Sequence, residues 1–299
     1  MNDVAKRTKH LERPHRAMMR SAIRWTLFWI ISALIFNALL WFYYRYTVDI
    51  SFANKKGLEF LTGYLIEESL SVDNLFVFYL VFQQLHIPPR FQRRVFNYGI
   101  WGAIVMRLGL ILLGVWLVTR FHWVLYLMGA FLVLTGLKMC LLKDTEKDLE
   151  QTWVMRVAKR LFRVTHEMVS EHFFIKKKHL WYATPLFIAL IFVEVSDLIF
   201  ALDSIPAIFA ITTDPFIVWT SNIFAILGLR SLYFLLAGML QQLHLLKYGI
   251  ALILVFVGAK MLIEPWLHLS VGISLMVIIG LLLLFSWLSI ASRNYYARH

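Results

Sequence analysis

Hydrophobic residues along this chain gather into eight long runs, separated by short segments rich in polar and charged residues. Each run is long enough to cross the ~30 Å hydrocarbon core of a bilayer as an α-helix. The eight runs are 25–44, 58–82, 98–118, 123–142, 182–211, 219–240, 248–264 and 270–291. The pattern predicts an all-α polytopic membrane protein with about eight transmembrane helices.

The polar segments between the runs carry most of the basic residues, and the charge is strongly one-sided. The chain has a net charge of +12. With a cytoplasmic N-terminus, 22 of the 30 Lys and Arg residues fall in inside segments and four in outside loops. This is the positive-inside pattern, which predicts that the N- and C-termini both lie in the cytoplasm. The basic charge therefore indicates contact with membrane lipids rather than a nucleic-acid partner.

Two of the apolar runs carry carboxylates at bilayer depth. Glu67, Glu68 and Asp73 lie in one run, and Glu194, Asp197 and Asp203 lie in another. A charged side chain at the centre of a bilayer costs ~2.5–3.5 kcal/mol on insertion scales, so such residues usually mark a functional pathway. Their spacing is matched, because Glu67-(five residues)-Asp73-Asn74 recurs as Asp197-(five residues)-Asp203-Ser204. These residues indicate a cation pathway.

The matched acids belong to a longer internal repeat. In each half, the acidic run precedes a run with one arginine, which precedes a run that ends in Gly-x-Lys-Met. The paired positions are Arg107 with Arg230 and Lys138 with Lys260. The prediction is two three-helix repeats, 58–142 and 182–264, with flanking transmembrane helices at 25–44 and 270–291. Three spans per repeat make the second copy inverted, and inverted repeats commonly hold a substrate site between them.

Two segments remain outside the membrane in this interpretation: a basic cytoplasmic tail at 1–24 and a cytoplasmic loop at 143–181. In the loop, Leu149, Trp153, Val157 and Leu161 recur near helical spacing. This spacing predicts an amphipathic helix at the membrane surface.

The acidic spans are expected to be interrupted helices. Pro206 lacks an N–H and predicts a break beside Asp203, and Ser69 and Ser71 can loosen the first copy by bonding the backbone. An unbroken helix would leave Asp197 and Asp203 about 120° apart. With breaks, we expect Asp73, Asp197 and Asp203 to lie within a few Å of one another, or of Glu67 and Glu194.

The candidate metal ligands are all hard oxygen donors, which suit Mn²⁺, Mg²⁺ or Ca²⁺. Glu68 is a weaker candidate, because Leu198 stands in its place in the second copy. The metal is expected as a transported substrate, and no cofactor is firmly implied. The candidate ligands are Glu67, Asp73, Asn74, Glu194, Asp197, Asp203 and Ser204.

Two other interpretations need weighing. The acids could simply pair with Arg107, Arg230, Lys138 and Lys260, but six acids exceed four bases. Paired intramembrane aspartates could also belong to a protease, but such enzymes carry Tyr-Asp and Gly-x-Gly-Asp motifs. Here Asp73 follows a valine and Asp203 follows a leucine, so the chain is not expected to be an enzyme. The single cysteine rules out an internal disulfide.

Longer stretches around the acids resemble a known family. GYLIEESLSVDNLFVF at 63–78 and FVEVSDLIFALDSIPAIFAITTDPF at 192–216 are similar to the TerC family of integral membrane proteins, and most similar to its Alx-like branch. The resemblance implies manganese export from a bacterial cytoplasm and a link to tellurium resistance. It assigns the family's intramembrane acids to Glu67, Asp73, Glu194, Asp197 and Asp203.

The expected function is export of a divalent cation across the bacterial inner membrane, by exchange with protons on the same carboxylates. Mn²⁺ is the expected ion. The alternative is a non-transporting scaffold for membrane-protein assembly or for metalation of exported enzymes. The expected partners are a divalent cation and membrane lipids. Association with further copies of the chain or with other membrane proteins stays open.

Overall fold

The fold is taken from a computed structural model of the chain. The structure describes residues 2–141, 152–165, 171–177, 180–236, 245–264, 266–267 and 269–296. Within those ranges it does not describe the side chains of residues 2–20, 72, 73, 76, 236, 290 and 293–296.

The described chain is helical apart from one short hairpin. Three helices start at prolines (Pro89, Pro185 and Pro215), where the missing N–H would have had no helical partner. The helices are α1 (Asn2–Thr47), α2 (Ile50–Gln84), α3 (Pro89–Arg120), α4 (Trp123–Leu141), α5 (Trp153–Leu161), α6 (Pro185–Phe209), α7 (Pro215–Leu236), α8 (Leu246–Ile263) and α9 (Val271–Tyr296). The antiparallel hairpin consists of β1 (Phe174–Lys177) and β2 (Leu180–Ala183).

The all-α polytopic membrane architecture is confirmed. Seven helices in the described chain are long and apolar enough to cross a membrane. The remaining long helix, α2, has 35 residues but also carries the first group of acids. It packs against α1, α6 and α7, so the Glu67 and Glu68 side chains are covered by other helices rather than by lipid.

The long helices pair across the two halves of the chain. Gly63 on α2 lies beside Ser221 on α7, and Gly228 lies beside Glu68, so α2 and α7 run parallel. Helices α3 and α6 are also parallel, because Gly99 lies beside Val193 and Gly114 beside Phe209. Since α6 and α7 are joined by a short turn and run in opposite directions, α2 is antiparallel to α6. An inverted repeat requires this arrangement, although the repeat itself stays a prediction.

Helices α4 and α8 approach each other closely along an antiparallel contact. A Cβ on Gly258 would lie 2.6 Å from the carbonyl oxygen of Gly129, and a Cβ on Gly136 would lie 2.6 Å from that of Ala251. Small residues at such contacts let two backbones meet, which is how packing energy is gained between membrane helices.

The predicted helix breaks are wrong. Helix α6 continues through Pro206 and ends at Phe209, so the loss of the backbone bond to Leu202 does not interrupt the helix or redirect Asp203, which precedes the proline. Helix α2 is uninterrupted, although the Ser69 hydroxyl does donate to the Leu65 carbonyl. Helix α1 begins at Asn2 instead of 25, and β2 takes the place of the first residues expected in the fifth span.

A helix forms in the central loop, and it buries a face that the predicted apolar stripe does not include. Helix α5 buries Val154, Met155 and Ala158 in a core shared with α2, α3 and α6. Trp153, Val157 and Leu161, three members of the predicted stripe, are exposed; Leu149 lies outside the described residues. Thr152 caps the helix by accepting a bond from the Met155 amide.

Candidate cation site within the helix bundle

Arg107 on α3 is the centre of the candidate site. Only 1% of its surface is exposed. Its Nε donates to Asp197 Oδ2 at 3.0 Å and its Nη2 to Asp197 Oδ1 at 2.6 Å. Its Nη1 donates to Asn222 Oδ1 at 2.8 Å and also forms an ion pair with Glu67. One guanidinium therefore joins side chains from α2, α6 and α7.

This pairing satisfies the buried guanidinium. The fork of an arginine matches a carboxylate with two parallel hydrogen bonds, and Asp197 accepts both. Asn222 is fully buried, and its Nδ2 donates to the Val218 carbonyl. The amide oxygen is thereby turned toward Arg107. The interpretation that the intramembrane acids have basic partners thus holds for Glu67 and Asp197.

Two further carboxylates flank this network without an arginine of their own. Glu68 is an electrostatic neighbour of Glu67, and Glu194 is an electrostatic neighbour of Asp197. In the described structure, Oε2 of Glu67 and Oε2 of Glu68 are buried and have no hydrogen-bond partner. An unsatisfied buried acceptor costs ~1–3 kcal/mol and more when it is charged.

The Glu194 side chain reaches its position because α3 has glycines opposite it. Its carboxylate lies against Gly99 and fills the space that a Cβ on residue 102 would need. Any larger residue at position 102 would force the Glu194 carboxylate to move. Gly102 therefore helps to place one of the two flanking acids.

Asp203 does not join these residues, which corrects the expected convergence. Its side chain accepts a hydrogen bond from Thr135 and faces the charge of Lys138, both on α4. The reason is the unbroken helix, which places Asp203 ~9 Å beyond Asp197 along α6 and on another face. Nothing in α6 redirects it toward Arg107.

The remaining predicted ligands are only partly placed. Asn74 Oδ1 and Ser204 Oγ are buried without a hydrogen-bond partner in the described structure, and neither bonds to Arg107. The backbone of Asp73 belongs to α2, but its side chain lies outside the described part of the chain. In that part, no three His, Cys, Asp or Glu side chains lie close enough to hold one metal ion. Arg107 lies between Glu67 and Asp197 and pairs with both.

Two residues of the candidate site, Asn222 and Glu68, were not among the ligands predicted from the sequence. Asn222 was not selected, and the signal available was a lone amide in the apolar run of α7. Glu68 was ranked lowest because its repeat counterpart is Leu198. A carboxylate in only one half is nevertheless compatible with a site to which both halves contribute.

A second ionic cluster joins the start of α2 to the turn between α6 and α7. Lys56 Nζ lies 3.0 Å from Glu59 Oε2 and 2.7 Å from Asp214 Oδ2. Thr212 Oγ1 donates to Glu59 Oε2 at 2.9 Å. Burial lowers the pKa of Lys56, but the bonds to Asp214 and Glu59 outweigh burial, so the pKa is raised. Lys56 therefore stays a cation that ties the two halves together at this end of the bundle.

Sequence comparison with known proteins gives a consistent family match. The model of the integral membrane protein TerC family matches residues 52–296. Relatives from Salmonella typhi and Escherichia coli K12, which carry the provisional name membrane-bound redox modulator Alx, are 51% and 50% identical. These alignments cover 90% of this chain and 83% and 84% of the relatives.

A more distant relative is an uncharacterized membrane protein of Myxococcus xanthus, STKORF319. It is 47% identical over 90% of this chain and 82% of its own length. No solved structure matches the chain.

Proposed function

Since this chain belongs to the TerC family of integral membrane proteins, we propose that it exports a divalent cation through the site around Arg107. Mn²⁺ is the ion that we expect it to export. The direction is outward across the inner membrane of a bacterium. The charge bias of the loops supports the orientation on which this direction depends.

The observation that carries the proposal is the surplus of carboxylates around one guanidinium. Glu67 and Asp197 bond to Arg107, Glu68 is an electrostatic neighbour of Glu67, and Glu194 is one of Asp197; the charge of one arginine balances only one of these four carboxylates. Buried carboxylates without a partner take up protons or bind a cation, because an isolated charge is costly in a low-dielectric interior. A site that alternates between protons and a dication needs this surplus.

Arg107 acts in this mechanism as a built-in cation that holds the empty site together. It keeps Glu67 and Asp197 paired while no metal is bound, which avoids leaving them as unpaired buried charges. Entry of a dication requires the guanidinium to withdraw from at least one of these carboxylates. Glu68 and Glu194 are the acids that meet the ion first, and they release their protons to water as the ion binds.

The oxygen donors determine which ions suit the site, and the membrane potential determines the work that export requires. Carboxylate and amide oxygens favour Mn²⁺, Mg²⁺ or Ca²⁺ over softer metals. Moving a dication outward against 100 mV, inside negative, costs ~4.6 kcal/mol. Protons moving inward on the same carboxylates can supply this work.

The names carried by the relatives suggest a redox role, but this chain offers little for a thiol mechanism. Its single cysteine is Cys140, which is partly buried near the end of α4. A disulfide within the chain is therefore impossible, and a thiol exchange reaction would need a second molecule.

The alternative function is a scaffold, which would tolerate neutral residues at Glu68 and Glu194.

Metal flux into proteoliposomes tests the proposal. Purified protein is reconstituted with a pH gradient, and Mn²⁺, Mg²⁺ and Ca²⁺ fluxes are measured for wild type, Glu68→Gln and Glu194→Gln. Each variant should lose about tenfold or more of the Mn²⁺ flux, since each removes a charged ligand. Glu264→Gln, an exposed carboxylate at the end of α8, is the matched control and should transport normally. Wild-type flux in the Glu68→Gln and Glu194→Gln double variant would contradict transport through this site and favour a scaffold.

A further inference from the structure

A cleft of about 150 Å³ opens at the end of the bundle where the membrane-spanning part of α1 and helix α3 begin and where α7 ends. It is separate from the carboxylate site and is lined by basic, hydroxyl and aromatic side chains. The residues that define this cleft are Arg93, Arg230, Ser21, Ser231, Trp25 and Phe234.

The two arginines of the cleft have no carboxylate partner in the described structure. Arg230 donates to the neutral amide oxygen of Asn97. The guanidinium carbon of Arg93 lies 5.6 Å from the centre of the Phe234 ring. Two cations in one small cleft repel each other, so the cleft has an unbalanced positive charge that an anion would neutralise.

The side chains favour a phosphate group over a simple carboxylate or halide. Guanidinium groups bind phosphate oxygens through two parallel hydrogen bonds, and two of them can hold different oxygens of one group. The hydroxyls of Ser21 and Ser231 are further polar groups in the lining.

The apolar wall of the cleft indicates where the rest of the ligand lies. Trp25 is 50% exposed on α1, in a helix segment long and apolar enough to cross the membrane. An exposed indole at the end of such a segment belongs at the level of the lipid headgroups. A molecule with a phosphate in the cleft and acyl chains beside Trp25 satisfies both walls.

We propose that this cleft binds the phosphate of an anionic phospholipid at the basic end of the bundle. Basic pockets between transmembrane helices are suited to such headgroups. Arg93 and Arg230 bind the phosphate, and Trp25 and Phe234 contact the glycerol and the upper acyl chains. Binding there joins α1 to α3 and α7, and thereby links a flanking helix to both halves of the core.

Native mass spectrometry of the full chain tests the proposal with defined lipids. Retention of phosphatidylglycerol is compared with that of phosphatidylcholine for wild type, Arg93→Gln, Arg230→Gln and the double variant. Arg90→Gln is the matched control, because Arg90 is exposed in the first turn of α3 but does not line the cleft. A second arm adds millimolar inorganic phosphate in place of lipid and follows thermal stability.

Wild type and Arg90→Gln should retain phosphatidylglycerol over phosphatidylcholine. Each cleft variant should lower the affinity for phosphatidylglycerol about tenfold, the usual effect of one charge-assisted bond. Arg93→Lys should restore part of it, because the charge returns without the fork. Stabilisation by phosphate that equals the lipid effect, and that is lost in the same variants, would make the ligand a free anion and overturn the lipid assignment. Equal phosphatidylglycerol retention in wild type and the double variant would overturn the site altogether.

Discussion

Arg107 and Arg230 occupy matching positions in the two halves of the chain, yet their surroundings differ completely. Arg107 is fully buried and bonded to Glu67, Asp197 and Asn222. Arg230 is partly exposed, bonds to the neutral Asn97 and lines a cleft with Arg93. The same residue in the same place within each repeat thus serves as an internal counter-ion in one half and as a peripheral cation in the other.

Within the predicted repeat, the two arginines have different partners at the candidate site. By the repeat, Asp197 with Arg107 should have a counterpart in Glu67 with Arg230. In the structure, Arg107 binds both acids and Arg230 is released from this role. One guanidinium for two matched acids leaves the centre short of positive charge, which is the condition that cation binding requires.

The largest expected effect comes from neutralising the two arginines separately. Arg107→Gln should lower the free energy of unfolding by about 3–5 kcal/mol, because Glu67 and Asp197 would be left buried and unpaired. Arg230→Gln should cost no more than about 1 kcal/mol, because its partner is neutral and its side chain partly exposed. Thermal unfolding in detergent, followed by circular dichroism, measures both.

A compensating variant separates charge from shape in that experiment. Asp197→Asn added to Arg107→Gln should recover part of the lost stability, because it removes one of the unpaired charges. Equal losses for Arg107→Gln and Arg230→Gln would remove the contrast between the halves.

At the contact between α4 and α8, both halves contribute a glycine that lets the two backbones meet. Alanine substitutions on either side should therefore both lower stability. Gly258→Ala places a methyl group 2.6 Å from the Gly129 carbonyl oxygen, and Gly129→Ala places one 3.0 Å from that of Gly258. Neither backbone can yield easily, so we expect losses of about 1–3 kcal/mol, larger for Gly258. Gly272→Ala is the control, since nothing lies within 4 Å of its added methyl group. Differential scanning calorimetry should rank the three variants in this order, and a neutral Gly258→Ala would argue against the close approach.

The Lys56 cluster connects the two halves where α2 begins and where α6 turns into α7. It should contribute less to the free energy of unfolding than the contact between α4 and α8. Lys56→Gln removes the cation between Glu59 and Asp214, which is partly screened by solvent on the Asp214 side. The expected loss is about 1 kcal/mol, reduced at high salt. Unfolding in low and high sodium chloride measures it, and an effect as large as that of Arg107→Gln would mean that charge at this end, too, is central to folding.

The smallest stability effect is expected at Gly102, where function should change instead. Gly102→Ala needs only the flexible end of Glu194 to move, so the fold should lose less than about 1 kcal/mol. Displacing that carboxylate should nevertheless reduce Mn²⁺ flux, whereas Gly109→Ala, with nothing within 4 Å of its new methyl group, should transport normally. The repeat counterpart of Gly102 is Ala225, so the second half already tolerates the methyl group. Normal Mn²⁺ flux in Gly102→Ala would show that the position of Glu194 is unimportant.

The fold followed from the hydrophobic pattern because each long apolar run must form its own backbone bonds in a membrane. The positions of the acids along α2 and α6 were also predictable, since the matched spacing is explicit in the sequence. The pairing of Arg107 with Asp197 was visible only as one of several alternatives, because contacts between helices depend on their rotation and register.

The helix break expected in α6 was wrong because a local rule, that a proline interrupts a helix, was applied without its structural context. Pro206 was expected to break α6, but the loss of one backbone bond there leaves the helix continuous to Phe209. The predicted stripe of Trp153, Val157 and Leu161 is exposed on α5, and a second set of residues, Val154, Met155 and Ala158, meets the bundle. In a membrane protein, an apolar stripe can face lipid as readily as it faces the core.

Direct Mn²⁺ binding to the purified protein tests the central claim, that the carboxylates left over beside Arg107 form a cation site. Electron paramagnetic resonance of free Mn²⁺ gives the bound fraction for wild type, the Glu68→Gln and Glu194→Gln double variant, and the Glu264→Gln control. Wild type and Glu264→Gln should bind the ion and release it as the pH falls, while the double variant should bind at least about tenfold more weakly. Binding by the double variant equal to that of wild type would contradict the account.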